Sequence, residues 1–167
     1  MQESRYTITP TADELMRALD AWQWLDLEGK TPILASAFGD IFLEDRAGIW
    51  YLDTLQGQLQ QTHATRTDLF DALCTPEGQE HYLLGGLVDR AIREGKSLGT
   101  GQCYDFKVHP ALGGAIDYDN VEICDFVVAV DIRGQIHEQT RHLPQGTRIS
   151  GVKITDEAPR KPWWKLW

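Results

Sequence analysis

Basic residues are scarce in this chain of 167 residues. Sixteen Lys and Arg face 25 Asp and Glu, which gives a formal net charge of -9. Proteins that bind DNA or RNA directly normally present a basic surface to the phosphates, so direct nucleic-acid binding is not expected. An acidic protein instead attracts basic partners and accelerates their association, although net charge also serves solubility alone. Both interpretations stay open at this point.

Cysteine is also rare, with Cys74, Cys103 and Cys124 widely separated along the chain. An odd number of cysteines at wide spacing is not typical of a disulfide framework and fits a reducing cytosol. Residues 1–10 contain no apolar run, and no apolar stretch approaches the length of about 18 residues that a membrane helix needs. We therefore expect a cytoplasmic protein with no secretory signal and no membrane partner.

The usual spacings of metal ligands are missing too. Neither Cys-x-x-Cys nor His-x-x-x-His occurs, and His137 and His142 are five positions apart, which places them on different faces of a helix. Asp117, Asp119 and Glu122 lack the twelve-residue pattern of a calcium-binding loop. The sequence therefore predicts a protein that is not an enzyme and that holds no catalytic metal and no cofactor.

Cys103 and His109 supply the alternative hypothesis. A thiolate–imidazole pair needs the two side chains within hydrogen-bond reach, an orienting group and an oxyanion site. The residues around Cys103 match no nucleophile motif, and a buried, inert cysteine is the more common case. The second hypothesis is thus a small enzyme or ligand-binding domain that uses Cys103, His109 and the nearby acidic residues.

Hydrophobic patterning predicts an α+β fold whose sheet is mainly antiparallel. Thr11 and Glu14 have the spacing of a capping box for a helix near 11–22. Short β-compatible segments joined by tight turns fill residues 32–62. Thr75-Pro76-Glu77 then begins a longer helix near 76–94, whose apolar residues recur at helical spacing.

The second half of the chain is predicted to extend the sheet. Residues from about 101 to 132 are rich in β-branched and aromatic types, so we expect strands there that pack with residues 32–62 against the helices. Residues 134–142 are compatible with a helix or a strand, and residues 148–154 with an edge strand. We expect one domain over residues 1–167.

A tail rich in tryptophan and basic residues follows at about 157–167. It contains Trp163, Trp164 and Trp167, and its role is left open.

The stretch from Gly99 to Asp125 is the predicted working surface. It combines glycines, the His109-Pro110 turn and the start of an acidic run, because residues 111–132 include five acids and neither Lys nor Arg. Recognition residues lie on loops more often than in sheet centres.

We therefore expect acidic side chains to contact a basic partner, and a solvated acidic strand end is the alternative. The first choice of contact residues is Asp117, Asp119 and Glu122, and the second choice, on the predicted meander, is Asp40, Glu44, Asp45 and Asp53.

Two stretches carry a family resemblance: residues 32–57, and residues 101–114 followed by Asn120-Val121-Glu122. Together they resemble the Tdi-type family of type VI secretion immunity proteins, which protect against a secreted DNase. The Phe38-Gly39-Asp40 step before a strand, and the later Gly-x-x-x-Leu-Asp, are also similar to the wider SMI/KNR-like (SUKH) immunity superfamily. The resemblance extends over roughly residues 22–146.

This resemblance implies a cytoplasmic antidote that binds an antibacterial toxin. It would block the active site or the DNA groove of a nuclease delivered by a type VI secretion system. Such families have no catalytic residues to carry over, and the implied partner is a cognate effector protein that is itself basic. The identity of the toxin and the oligomeric state stay open.

Overall fold

A computed structural model describes residues 4–144 and 146–156 of the chain. The tail at 157–167, with Trp163, Trp164 and Trp167, lies outside the described residues. The strands are β1 (Thr7–Ile8), β2 (Thr31–Ser36), β3 (Ile41–Asp45), β4 (Gly48–Asp53), β5 (Gln58–His63), β6 (Gln102–Phe106) and β7 (Val121–Asp125). The α-helices are α1 (Ala12–Ala18), α2 (Arg66–Leu73), α3 (Pro76–Leu83), α4 (Gly85–Arg93) and α5 (Phe126–Thr140).

The main sheet is an antiparallel meander in the order β1-β2-β3-β4-β5. The meander predicted over 32–62 is therefore confirmed, as is the α+β class. The turn between β3 and β4 depends on Gly48, whose φ is 135° and whose hypothetical Cβ would lie 2.5 Å from the His63 carbonyl oxygen. A side chain at this position would push the β4–β5 pair apart, so only glycine fits.

The two faces of the main sheet are covered by different helices. Ile41, Leu43 and Leu52 pack with residues of α1 and α5. Phe42 and Tyr51, which alternate with them along the strands, pack with residues of α2 and α3. This is the outcome expected when successive side chains of a strand point to opposite faces. The helices thus sandwich the meander.

The prediction that residues 101–132 extend the main sheet is wrong. β6 and β7 form a separate two-stranded sheet, and the chain becomes helical at Phe126. Asp125 caps this helix, because its Oδ1 accepts a hydrogen bond from Val128 N at 3.0 Å. The β-branched residues at 127–132 favour a strand locally, but packing of one helical face overrides that preference. The residues buried on that face are Phe126, Ala129, Val130, Arg133, Ile136 and His137.

The predicted helix at 76–94 is also interrupted. Leu84 adopts a left-handed conformation with φ 49° and separates α3 from α4. The start at Thr75 is confirmed, since its hydroxyl accepts a hydrogen bond from Gly78 N at 3.0 Å. Helix α4 then begins at Gly85, and Gly86 N donates to a Glu80 carboxylate oxygen at 2.8 Å.

Of the remaining predicted elements, some are present in the structure and one is not. The capping box of Thr11 and Glu14 begins α1, which is followed by a 3-10 turn at Asp20–Trp22. Residues 134–142, which the sequence left undecided, are helical as far as Thr140. Residues 148–154 form no strand in the described part of the chain, so the possible edge strand is wrong.

Candidate functional site

The candidate site is the loop of residues 107–120, which joins β6 to β7. Asn120 closes it: its Nδ2 donates to the carbonyl oxygens of Val108 and Ala115, both at 2.8 Å, and its Oδ1 accepts from Val108 N at 3.0 Å. Gly114 passes so close to this bridge that a Cβ would lie 1.7 Å from the Val108 carbonyl oxygen. These contacts fix the path of the loop.

His109 anchors the loop to the body of the protein. Its side chain is buried, its Nδ1 accepts a hydrogen bond from Ala111 N at 3.1 Å, and its ring meets that of His137 edge-on at 5.2 Å. Burial, with the nearby Arg133 and His137, lowers the pKa of His109 to about 3. The imidazole is therefore neutral at pH 7.

The acidic side chains predicted as first-choice contacts lie on the exposed side of this loop and on β7. Asp117, Asp119 and Glu122 are all exposed. The Asp117 carboxylate accepts a hydrogen bond from Asn120 N at 3.2 Å. Within the described residues, the carboxylates of Asp119 and Glu122 form no ion pair or hydrogen bond.

Cations also lie near the loop, although the acidic run of residues 111–132 contains neither Lys nor Arg. Lys107 Nζ donates to the Asp119 carbonyl oxygen at 2.7 Å. The charged groups of Arg90 and Lys96 lie 4.5 and 4.3 Å from the centroid of the Tyr118 ring. The sequence around the loop does not reveal these cations, because Arg90 and Lys96 come from α4 and the segment after it. They bind carbonyls and a ring rather than the exposed carboxylates.

The second-choice acids on the meander occupy different positions. Glu44 pairs with Arg66, Asp45 lies 3.6 Å from Lys30, and Asp53 accepts hydrogen bonds from the backbone of the β4–β5 turn. These three side chains are only partly exposed, and each already has a partner within the fold.

Asp40 is the exception among the predicted contacts, because only 2% of it is exposed. Its Oδ1 accepts hydrogen bonds from Thr54 N and Thr54 Oγ1, both at 2.8 Å. Burial raises its pKa to about 6, and the Asp53 carboxylate acts in the same direction. Asp40 is therefore removed from the predicted contact residues.

The Cys103–His109 pair of the alternative hypothesis is not assembled. Cys103 is fully buried and lies opposite Cys124 in the β6–β7 register. Burial raises the pKa of its thiol to about 12, so the thiolate is scarce at neutral pH. In the described part of the chain, no hydrogen bond joins Cys103 to His109, and no group of three or more His, Cys, Asp or Glu side chains is arranged to hold a metal ion.

An open groove of about 810 Å³ lies between α1 and the β3–β4 turn. Leu15, Met16 and Pro32 give it an apolar wall, and Lys30 lies at its edge with its ammonium group 4.3 Å from the centroid of Trp50. Of its polar lining residues, Lys30 and Asp45 pair with each other at 3.6 Å. No helix in the described residues has both the length and the apolar composition to cross a membrane.

Comparisons with known proteins bear on both fold and family. Residues 63–137 match the family model described as T6SS immunity protein Tdi1, C-terminal, so the Tdi-type resemblance is confirmed over that segment. The segment includes the whole loop of residues 107–120, whereas the stretch at 32–57 lies outside it. The SUKH resemblance stays a prediction. No curated protein matches the chain.

One solved structure has a similar fold. It is described as the crystal structure of Atu4351 from Agrobacterium tumefaciens, with 20% sequence identity and a TM-score of 0.52. The alignment covers 79% of this chain and 68% of that chain. At this identity the likeness shows the fold alone.

Proposed function

We propose that this chain is a type VI secretion immunity protein that binds a cognate toxin and neutralises it without catalysing a reaction. The observation that carries the proposal is the match of residues 63–137 to the Tdi1 family model. It acts in the cytoplasm, and its target is an antibacterial nuclease. The buried, protonated thiol of Cys103 and the neutral His109 agree with a binding protein rather than a thiol enzyme.

The proposed contact surface is the loop of residues 107–120 with the start of β7. It belongs to the matched segment, its path is fixed by Asn120, and it exposes Asp117, Asp119 and Glu122. A nuclease holds DNA phosphates with positive charge, so an acidic surface is complementary to its DNA groove. Binding there excludes DNA from the active site, and charge complementarity accelerates the encounter.

The proposal can be tested with the protein encoded by the gene adjacent to this one. We expect that product to degrade DNA when expressed alone and to halt growth, and that co-expression of this chain restores growth. The purified proteins should form a complex, and DNA cleavage should fall as this chain is titrated to an equimolar amount. Growth arrest that persists despite full expression of this chain, with no complex formed, would overturn the proposal.

A further inference from the structure

We propose that Val108 and Ile116 are the apolar anchors of the toxin-binding surface; this inference rests on the proposed function. Val108 is 50% exposed and Ile116 is 47% exposed. Both belong to the loop of residues 107–120, which also carries Asp117 and Asp119. The partner surface that they fit is a shallow apolar recess flanked by basic side chains.

Asn120 ties together the two backbone segments that carry these aliphatic residues. One atom, Asn120 Nδ2, is 2.8 Å from the carbonyl oxygen of Val108 and 2.8 Å from that of Ala115, the residue before Ile116. Asp117 follows Ile116 directly, and its carboxylate binds the Asn120 backbone at 3.2 Å. Asn120 therefore fixes the backbone at Val108 and just before Ile116, and it also binds the Asp117 carboxylate.

The loop is also tied to itself and to the body of the protein by hydrogen bonds and burial. Its backbone is bonded internally by Leu112 N to His109 O at 2.8 Å and by Lys107 N to Asn120 O at 2.8 Å, and His109 is buried beneath it. Residues held in their bound conformation lose little entropy on binding, which is a property of interface anchors.

The charges around the anchors indicate the chemistry of the occupant. The carboxylates of Asp119 and Glu122 are exposed and unpaired among the described residues, whereas Lys107 and Lys96 donate to backbone carbonyls. Lys107 and Lys96 keep their charge, but their ammonium groups are bonded within the fold, so of these four charged side chains only the two carboxylates are without a hydrogen bond in the described part of the chain. An apolar centre with a charged rim is the usual anatomy of a protein interface. The occupant that fits is the basic face of the toxin.

The test replaces both anchor residues and compares this double variant with a control double variant at two other exposed aliphatic residues. Val108→Ser with Ile116→Ser removes the anchors. Val128→Ser with Ile154→Ser changes the same residue types at 48% and 40% exposure, on α5 and on the segment that lies along it. The probe is the purified toxin encoded by the adjacent gene, and the readouts are Kd and the thermal unfolding midpoint of each variant alone.

We expect the anchor variant to bind at least about tenfold more weakly, as loss of two buried aliphatic contacts requires, and the control to bind within about twofold of wild type. The loss should persist at high ionic strength, since apolar contacts are not screened. Equal binding by the anchor and control variants would overturn the inference and leave the proposed function standing. If the wild-type chain itself does not bind the toxin, both fail.

Hydrogen exchange on the wild-type chain gives an answer that does not depend on the folding of any variant. Amides of residues 107–117 should gain protection on toxin binding, and those of α2 should not. Unchanged exchange throughout the loop in the complex would overturn the inference even if the anchor variant proved unstable.

Discussion

Arg133 joins parts of the fold that are distant in sequence. Only 1% of it is exposed, and its guanidinium donates to the carbonyl oxygens of Phe38 and Tyr104, to Thr54 Oγ1 at 2.8 Å and to Asp105 Oδ1 at 2.8 Å. The main sheet and the β6–β7 hairpin are thus linked through one cation on α5.

Replacing Arg133 by Met should therefore destabilise the protein by about 3–5 kcal/mol, because it leaves the Asp105 carboxylate and two carbonyls buried without their donor. Urea unfolding measures the change. Arg66→Met is the matched control: Arg66 is exposed and pairs with Glu44, so its loss should change the free energy of unfolding by less than about 1 kcal/mol. Similar effects of the two substitutions would contradict this account of Arg133.

His109 should make the stability of the protein sensitive to acid. Its pKa is about 3 in the folded state and 6.5 when unperturbed, so between these values the unfolded state binds more protons than the folded state. Stability should consequently fall as pH drops from about 6.5 towards 3, by at most about 1.4 kcal/mol per pH unit from this group. Denaturant unfolding at several pH values measures the slope.

His109→Asn isolates that contribution, since Asn can still accept the hydrogen bond from Ala111 N but does not titrate. Asp40 acts oppositely: its raised pKa of about 6 favours the folded state in acid and lowers stability as pH rises from 3.8 to 6. Asp40 is present in both proteins, so its effect cancels in the difference. A variant with the same slope as wild type would refute the role of His109.

At the scale of elements, structure that depends on residues close together in the chain could be predicted from the sequence. Structure that depends on packing between distant residues could not. The Thr11–Glu14 capping box and the Thr75 cap appear in the sequence as residue types at fixed spacing, and the structure confirms both. Residues 126–132 were assigned to a strand because their β-branched side chains suit one locally. Their helix is stabilised by packing on α1 and the main sheet, which no local pattern reveals.

The candidate site shows the same division. The acidic run and the turn at His109-Pro110 were visible in the sequence, as was the likeness of residues 101–114 to an immunity family. The closure of the loop by Asn120 and the approach of Arg90 and Lys96 to Tyr118 were not, because they join residues that are 5 to 28 positions apart. Burial of Asp40 was hidden for the same reason: its partner is Thr54.

Helix α5 also holds the last described segment of the chain. Gln135 pairs with the backbone N–H and C=O of Thr155 at 2.9 and 3.0 Å, and Gln139 pairs in the same way with Lys153 at 3.0 and 2.9 Å. Residues four apart on a helix and two apart on an extended chain have nearly equal spacing, about 6 Å and about 6.6 Å, so each side-chain amide meets both backbone groups of one residue.

Replacing Gln135 and Gln139 together by Ala should release this segment without unfolding the protein. We expect the amides of Lys153 and Thr155 to exchange at least about tenfold faster, because their acceptors are removed, while the thermal midpoint changes little. Gln60→Ala, an exposed glutamine on β5, serves as the control. Unaltered exchange at both amides would mean that other contacts hold the segment.

For the molecule as a whole, we propose one domain. Apolar clusters extend from Ala18 to Val130 and from Ala37 to Val121, so each contains residues from both halves of the chain. Limited proteolysis should accordingly give one resistant core and no pair of stable fragments. Cleavage near residue 65 or 98 into two separately folded pieces would contradict the proposal.

The net charge of -9 has a kinetic consequence if the toxin is basic. Long-range attraction raises the association rate and is screened over about 8 Å at physiological ionic strength, whereas dissociation depends on short-range contacts. Asp119 and Glu122 are the acids suited to a test, because the Asp117 carboxylate also caps the turn at Asn120. Charge reversal at Asp119 and Glu122 should therefore change recognition and leave the fold intact.

Asp119→Lys with Glu122→Lys should slow association with the adjacent gene's toxin by about tenfold at low ionic strength, with a smaller change in dissociation. The difference from wild type should shrink as salt is added. Asp71→Lys with Glu77→Lys makes the same change in net charge on the α2–α3 side, at residues that are exposed. Stopped-flow fluorescence measures both rates. If the two variants associate equally slowly, total charge rather than this surface governs the encounter. If Asp119→Lys with Glu122→Lys associates at the wild-type rate, the contact lies elsewhere. The next residues to reverse would then be Glu44, Asp45 and Asp53.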